Sequence, residues 1–541
     1  MKRQLYYGDN LPVLREHIAD ETVDLIYLDP PFNSQRPYNL LFKSPTGHES
    51  DAQITAFEDT WHWGPQAERE FNELLQQPNT HVAEMMRAFR AFLGENDVMA
   101  YLTMMAGRLL ELCRVLKPTG SLYLHCDPTA SHYLKIVLDG VFGKERYRNE
   151  IIWQRTNAHN TARGYGRIHD TIFFYTRTES FVWNDIRTDV SEEQLSRYKK
   201  DSEGRLYRTQ DLTASRPNSD SGKFEWRDVL PPSTRGWGYT LKQLEEWWEE
   251  GRILTRADGK PRMDGLKVYL GEQQGKRLQS VWTDIPRIPN TSSERLPYPT
   301  QKPLALLERI IQASSNEGDL VLDPFCGCGT AVHAAEKLKR RWIGIDITHL
   351  AISLIEKRLR DAFPNIAFEV IGAPEDYEGA VDLAKRDKYQ FQWWACSLVD
   401  AQPYQGKKKG ADRGIDGLIF FRDDNQPPKK IVVSVKGGEH VGVHMVREFE
   451  TVRKREKAEL GLFVTLAEPT QPMIAEAAAA GFYHSKAYNQ DWPRIQILTV
   501  RGLLDRGESP QYINVDTGVG FKRARRETTA HRGNVEMDWE G

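Results

Sequence analysis

Cysteine is scarce, with five scattered among 541 residues, and an odd number excludes a fully paired disulfide framework within one chain. No apolar run approaches the ~20 residues that span a bilayer, so a helical membrane protein is excluded. Neither sign of charge dominates: 73 Lys and Arg against 76 Asp and Glu leave a net charge of −3. Composition therefore does not announce a nucleic-acid partner. There is no internal repeat and no long low-complexity segment. The opening Met1-Lys2-Arg3, followed by a strand-like Gln4-Leu5-Tyr6-Tyr7, carries no signal-peptide pattern. These absences lead us to expect a cytoplasmic protein with no membrane partner.

What is present describes a large globular chain. Hydrophobic residues make up 40% and charged residues 28%, enough for sizeable cores in about three or four domains. Arg155, Arg163, Arg167 and Arg177 form one local basic cluster and Lys407-Lys408-Lys409 another. Each is either a nucleic-acid contact or a solvated face.

Two strand ends carry the chemistry. Val23 to Leu28 reads as a buried parallel strand that stops at Asp29-Pro30-Pro31-Phe32. The prolines cannot continue a sheet ladder, so they hold Asp29 at the carboxyl end, where open α/β sheets bind ligands. An exocyclic amine on a base is a poor nucleophile because its lone pair is delocalised into the ring. A carboxylate at Asp29, with the Pro30 carbonyl, can accept its two N–H bonds and stabilise the charge developing on nitrogen. Phe32 offers a face on which an extruded base can stack. A proline-capped strand with a surface acid would read the same way.

Far downstream, Leu320 to Leu322 reads as a second buried strand, followed by Asp323-Pro324-Phe325-Cys326-Gly327-Cys328-Gly329-Thr330 and a helix from Ala331 to Lys339. Gly327 and Gly329 permit close backbone approach to a ligand. The next strand, Trp342 to Ile345, ends at Asp346. This is the strand, glycine loop, helix, strand and acid of nucleotide-binding α/β folds. Dinucleotide binding competes, but the third glycine of GxGxxG is missing. Cys326 and Cys328 lack a second Cys/His pair and do not read as metal ligands. Just upstream, Leu296 to Pro303 contains Thr300-Gln301-Lys302 and leads into a helix carrying Leu304, Leu307, Ile310 and Ile311. It reads as a helix start or as a lid on a cofactor.

Together these residues resemble the permuted, beta-type DNA amino-methyltransferases, a family that includes the modification subunits of type III restriction systems. The likeness runs from Tyr7 to about Phe363. It implies that Asp29-Pro30-Pro31-Phe32 is the catalytic tetrapeptide. It also implies that Asp9, Thr300, Gln301, Lys302, Asp323, Phe325, Gly327, Gly329, Thr330 and Asp346 bind S-adenosylmethionine, with Asp346 on the ribose. The catalytic segment precedes the cofactor loop, an order that favours DNA over RNA. Asp29 resembles the first residue of adenine-N6 enzymes, whereas cytosine-N4 enzymes more often carry Ser; Phe32 departs from the commoner Tyr.

The stripe of Met99, Leu102, Met105, Leu109, Leu112 and Leu116 reads as the core face of a helix over Glu95 to Leu116. A strand from Ser121 ends at His125-Cys126-Asp127, beside the base pocket or simply packed. From Asn149 to Pro286 basic residues interleave with Trp153, Tyr165, Phe173, Phe174, Tyr175 and Trp183. The resemblance places the target-recognition region there, and Arg163 to Asp170 suits a phosphate backbone.

The last third resembles the Mrr-like branch of the restriction-endonuclease fold, through Asp416 on one strand and Ser434-Val435-Lys436 on the next. In such sites acids hold a divalent metal and the lysine orients water. Ser434 stands where that branch often has Gln or Glu, and a hydroxyl is a weaker ligand. Asp416 is the expected metal ligand, with Asp412 or Glu448 able to compensate. Mg2+ is expected only if the domain cuts DNA, so a nuclease and a DNA-binding relic both stay open.

The expected organisation is an α/β, Rossmann-like methyltransferase sheet, residues 1–148 and 287–372, interrupted by a recognition insertion at 149–286. A linker at 373–387, an α/β restriction-endonuclease-like domain at 388–512 and a basic flexible tail at 513–541 follow. The expected function is site-specific methylation of double-stranded DNA at adenine N6, in restriction-modification or defence. Cytosine N4, or a nuclease whose methyltransferase part acts as a sensor, are the alternatives. The family suggests a homodimer and a restriction partner subunit.

Overall fold

The computed structural model describes residues 3–31, 37–43, 49–58, 62–157, 164–188, 195–215, 222–270, 276–289, 291–292, 294–296, 298, 300–404, 414–421, 423 and 429–512. Phe32, Arg163, Lys407-Lys408-Lys409, Asp412 and the tail from residue 513 lie outside them. No helix among the described residues is long and apolar enough to cross a membrane. Contacts divide the chain into two compact units, one holding residues 1–184 and 280–541 and the other Asp185–Gln279.

The larger unit is built on a nine-stranded sheet. Its strands in chain order are β1 (Arg3–Tyr7), β2 (Val23–Leu28), β3 (Leu116–Cys126), β4 (Tyr147–Gln154), β5 (His169–Thr176), β6 (Val281–Trp282), β7 (Leu320–Asp323), β8 (Arg341–Asp346) and β9 (Glu369–Ile371). Across the sheet they run β6-β4-β5-β3-β2-β7-β8-β1-β9. All pair in parallel except β5, which is antiparallel to both β3 and β4. Strand β2 is buried along its whole length, as expected of a parallel strand covered on both faces. It pairs with β7 through Val321 opposite Leu25 and Leu322 opposite Ile26. The buried Asp24 carboxylate reinforces that junction by accepting bonds from Leu320 N at 2.8 Å and Lys117 Nζ at 2.6 Å.

Helices cover the sheet: α1 (Asn10–His17), α2 (Asp97–Val115), α3 (Leu304–Ser314), α4 (Thr330–Lys337) and α5 (His349–Ala362). In α2 the expected stripe is core, with Met99, Leu102, Met105, Leu109 and Leu112 all fully buried.

Two expected boundaries move. The recognition insertion was placed from residue 149, but β4 and β5 belong to the large sheet, and the separate unit is Asp185–Gln279. The aromatics that suggested a DNA-facing segment are its packing: Trp153, Phe173, Phe174 and Tyr175 are buried, whereas Tyr165 is fully exposed. The segment read as a polar linker forms α6 (Tyr377–Arg386), capped by Asp376, whose apolar face buries Ala380 and Leu383.

The smaller unit carries a four-stranded sheet of Lys199–Lys200, Leu206–Gln210, Pro261–Tyr269 and Ile253–Thr255. Leu212, Trp226, Val229, Trp237, Leu244, Ile253 and Leu266 form its own core.

After α6 come α7 (Lys388–Ser397), a second sheet and α8 (Val443–Arg455). This sheet runs β10 (Gln402–Pro403), β11 (Gly417–Phe421), β12 (Lys429–Lys436), β13 (Leu460–Thr465) and β14 (Ile495–Thr499). One apolar cluster passes without a break from Leu5 and Tyr7 through Leu307, Ile311 and Ile355 to Phe391, Trp394, Val433 and Val435. The C-terminal sheet therefore shares a core with the large sheet.

Candidate active site

The carboxyl ends of β1, β2, β7 and β8 converge on a cavity of about 300 Å³, at the lower end of the usual range for small-molecule sites. Its lining includes Gly8, Asp9, Asn10, Tyr27, Asp29, Pro30, Pro31, Tyr298, Thr300, Lys302, Asp323, Phe325, Gly327, Thr330 and Asp346. Of the residues singled out in the sequence, Asp9, Asp29, Pro30, Pro31, Thr300, Lys302, Asp323, Phe325, Gly327, Thr330 and Asp346 thus come together.

Asp29 and Lys302 form an ion pair, with side-chain exposures of 16% and 9%. Only Asp29 Oδ2 takes part; Oδ1 is buried and accepts no hydrogen bond among the described residues. A buried oxygen with an unfilled acceptor position is costly, and it belongs to a residue that lines the cavity.

The glycine loop has two different glycines. Gly327 sits at φ +50°, where a Cβ would lie 3.1 Å from the Tyr298 ring, so the bare backbone forms part of the cavity wall. Gly329, expected to approach a ligand, does not line the cavity. At φ +72° it caps α4, and a Cβ there would strike Ile355 at 2.8 Å. Its role is close helix packing. Gln301 also turns away from its expected place: its amide donates to Glu294 O at 2.8 Å and accepts from Leu296 N at 2.7 Å, bracing the loop before α3.

Asp346 accepts from Gly327 N at 2.9 Å on one oxygen and from Thr348 N and Oγ1 at 2.9 and 2.8 Å on the other. Burial raises its carboxyl to about 6 against the opposition of those bonds. Burial likewise pushes Asp323 well above the carboxylate range, with the charges of Asp29 and Asp346 adding to it. Four acids, Asp9, Asp29, Asp323 and Asp346, thus line one cavity, with Arg108 paired to the first and Lys302 to the second.

Several supporting residues left no motif. Arg108, buried on α2, donates to Asn10 Oδ1 at 2.5 Å, Asp9 Oδ1 at 2.8 Å and Met104 O at 3.1 Å. Asn10 in turn donates to Pro324 O at 2.8 Å, tying the loop after β1 to the loop after β7. A charged residue inside an apolar helical stripe must be paired, and that signal was available in the sequence. Arg358 on α5 holds the glycine loop through Cys328 O at 2.9 Å and Thr330 Oγ1 at 3.1 Å.

Tyr27 lies on the cavity wall, and its hydroxyl meets His125 Nδ1 at 2.9 Å. His125 Nε2 meets Asp170 Oδ2 at 3.1 Å. With Nε2–H donating to the carboxylate, Nδ1 accepts the tyrosine proton. Burial would raise Asp170, yet the bond from His125 and the charges of Lys302 and Arg155 hold it below the usual range. His125, undecided in the sequence, is thus a fully buried link at the end of β3.

In the C-terminal sheet, Asp416 and Ser434 meet, but the contact consumes the acid. Asp416 Oδ2 accepts from Val435 N at 2.7 Å and Ser434 Oγ at 3.3 Å. Glu448 is exposed on α8. Among the described residues no group of three His, Cys, Asp or Glu could hold a metal ion, and Asp412 lies outside them.

Comparison with known proteins agrees with this geometry. Residues 23–357 match the model of the N6/N4 DNA methylases. The chain belongs to that family. Residues 383–484 match a restriction endonuclease model. The type II methyltransferase M.EcaI of Enterobacter cloacae is 33% identical over 262 residues, covering 48% of this chain and 57% of that protein. The type III restriction-modification enzyme StyLTI Mod subunit of Salmonella typhimurium is 26% identical over 352 residues, covering 61% and 49%. The EcoP15I Mod subunit of Escherichia coli is 22% identical over 390 residues, covering 62% and 56%. The chain thus spans about half the length of these curated relatives.

Proposed function

We propose that this DNA methylase transfers a methyl group from S-adenosylmethionine to the exocyclic amine of a base flipped out of double-stranded DNA, adenine N6 before cytosine N4. The observation that carries this is Asp29 on the cavity wall, with Lys302 on its Oδ2 and its buried Oδ1 accepting no hydrogen bond among the described residues.

The cavity's chemistry suits the methyl donor. Asp346 has lone pairs left for ribose hydroxyls, and the Gly327 backbone leaves room for close approach. When bound, S-adenosylmethionine supplies an electrophilic methyl group.

The chain's own residues then do the rest. Asp29 Oδ1 accepts one N–H of the target amine, and the Pro30 carbonyl accepts the other. Drawing both hydrogens out of the ring plane localises the nitrogen lone pair and stabilises its growing positive charge. Lys302 fixes the rotation of the carboxylate, so Asp29 is ready without reorganisation.

The double-stranded DNA substrate and a restriction partner subunit follow from the kinship with type II methyltransferases and type III Mod subunits. The separate Asp185–Gln279 unit, with its own core, is the part suited to reading the sequence.

The test is transfer from labelled S-adenosylmethionine to unmethylated genomic DNA, followed by nucleoside mass analysis, for wild type and Asp29→Ala. N6-methyladenine from wild type alone is expected. N4-methylcytosine would overturn the base and keep the mechanism. No methylated nucleoside, despite demonstrated cofactor binding, would overturn the reading.

A further inference from the structure

Helix α7 lies inside the stretch that matches the restriction endonuclease model, yet it reaches the segments that wall the methyl-donor cavity. Gln390 Oε1 accepts from His349 N at 3.1 Å and from the Tyr7 hydroxyl at 3.4 Å. Tyr7 ends β1, and the next three residues, Gly8, Asp9 and Asn10, line the cavity. His349 opens α5 directly after Asp346, Ile347 and Thr348, which line it from the other side. The two anchored rings, Tyr7 and His349, stand 5.1 Å apart. One glutamine oxygen thereby ties together two cavity loops that are remote in sequence.

Trp393 follows Gln390 by three positions, so the two project from the same side of the helix. Together with Tyr404 it packs against a cluster of Leu296, Tyr298, Cys328, Leu350 and Leu354. Tyr298 and Cys328 are themselves cavity lining. The helix reaches into its own domain as well. Phe391 and Trp394 are buried, a Cβ at Gly437 would meet the Phe391 ring at 2.8 Å, and Cys396 Sγ donates to Asp416 O at 3.5 Å. A movement of α7 therefore changes both the cavity walls and the backbone that carries Asp416 and follows Lys436.

We propose that Gln390 and Trp393 are positioning residues for the methyl donor, so that the C-terminal domain completes the methyltransferase site and responds to its occupancy. The inference rests on reading the cavity as the S-adenosylmethionine site. Linkage makes the effect reciprocal: an ordered α7 strengthens donor binding, and bound donor holds α7 in place.

The test uses the full chain as wild type, Gln390→Ala, Trp393→Ala and Gln390→Glu, with S-adenosylhomocysteine as the calorimetric probe. Each alanine variant is expected to weaken binding about 5- to 30-fold, within the range typical of site coupling. Single-turnover methylation at saturating S-adenosylmethionine stays within about twofold, because neither residue meets the reacting atoms. Gln390→Glu keeps the acceptor oxygen and restores affinity. In wild type, the probe is expected to slow amide exchange across residues 388–397, a readout that needs no variant to fold. Wild-type binding with unchanged affinity in both alanine variants, or with unchanged exchange in α7, overturns this inference alone. No binding by wild type overturns the reading of the cavity itself.

Discussion

The ammonium of Lys302 closes on the carboxylate of Asp29 although the two residues stand 273 positions apart in the chain. Asp29 follows β2 near the start of the chain, and Lys302 lies in the segment leading into α3. In the proposed reaction the lysine leaves Oδ1 as the oxygen presented to the amine.

Replacing Lys302 by Met keeps the length of the side chain and removes the charge. Single-turnover methyl transfer is expected to fall about 100-fold or more, the scale of losing a preorganised electrostatic contact. Rapid-quench kinetics at saturating cofactor measures it, and a rate within threefold of wild type would contradict the assigned role.

Asp346 gives a pH dependence. Its carboxyl stands at about 6 in the folded chain, and a donor ribose that hydrogen-bonds to the ionised form binds better above that value. Affinity for S-adenosylhomocysteine is expected to drop as pH falls through about 6, approaching tenfold per unit. Titration calorimetry from pH 7.5 to 5 should show it, with the slope absent in Asp346→Asn. Stability of the unliganded chain moves oppositely. A carboxyl raised above its unfolded value adds stability that is present below the unfolded value and lost as pH rises through 6.

The C-terminal sheet has the converse case. Asp423 is buried and accepts from Ser485, Tyr483, Lys429 at 2.9 Å and Ala487 N at 3.1 Å. Burial would raise it, but these donors outweigh burial and hold it far below the carboxylate range. The stability it contributes is present above the unfolded carboxylate value and lost as pH falls below it toward the depressed folded value. Tryptophan fluorescence during acid titration is expected to report early loss of this region. Asp423→Asn should melt lower at pH 7 and show a flatter acid dependence.

Arg358 is expected to matter for the glycine loop. Arg358→Leu leaves Cys328 O and Thr330 Oγ1 without their buried donor. A loss of about 2–4 kcal/mol, read by urea denaturation, follows from uncovering such acceptors in a packed interior.

The strand ends Asp29 and Asp323 were legible because a buried apolar run followed by proline is a local pattern, and Asp346 because it closes the next apolar run after the glycine loop. The Lys302 pairing was not, since nothing near Thr300-Gln301-Lys302 records which acid it will face. Gly329 misled for a related reason: a glycine needed for helix packing against Ile355 looks the same in sequence as one needed for a ligand. The insertion boundary failed at Trp153 and Phe173-Phe174-Tyr175, where alternation with polar residues suggested a DNA surface. Those rings fill an antiparallel strand pair covered on both sides. The role of Gln390 required two elements nearly 400 residues apart to be seen together.

The pairing of Leu25 and Ile26 with Val321 and Leu322 has a consequence for birth on the ribosome. The first strand end emerges early but has no neighbour on its central edge until the second half is made. At roughly 5–20 residues per second, Asp29 waits tens of seconds for Lys302, and under the proposed mechanism methyl transfer waits with it.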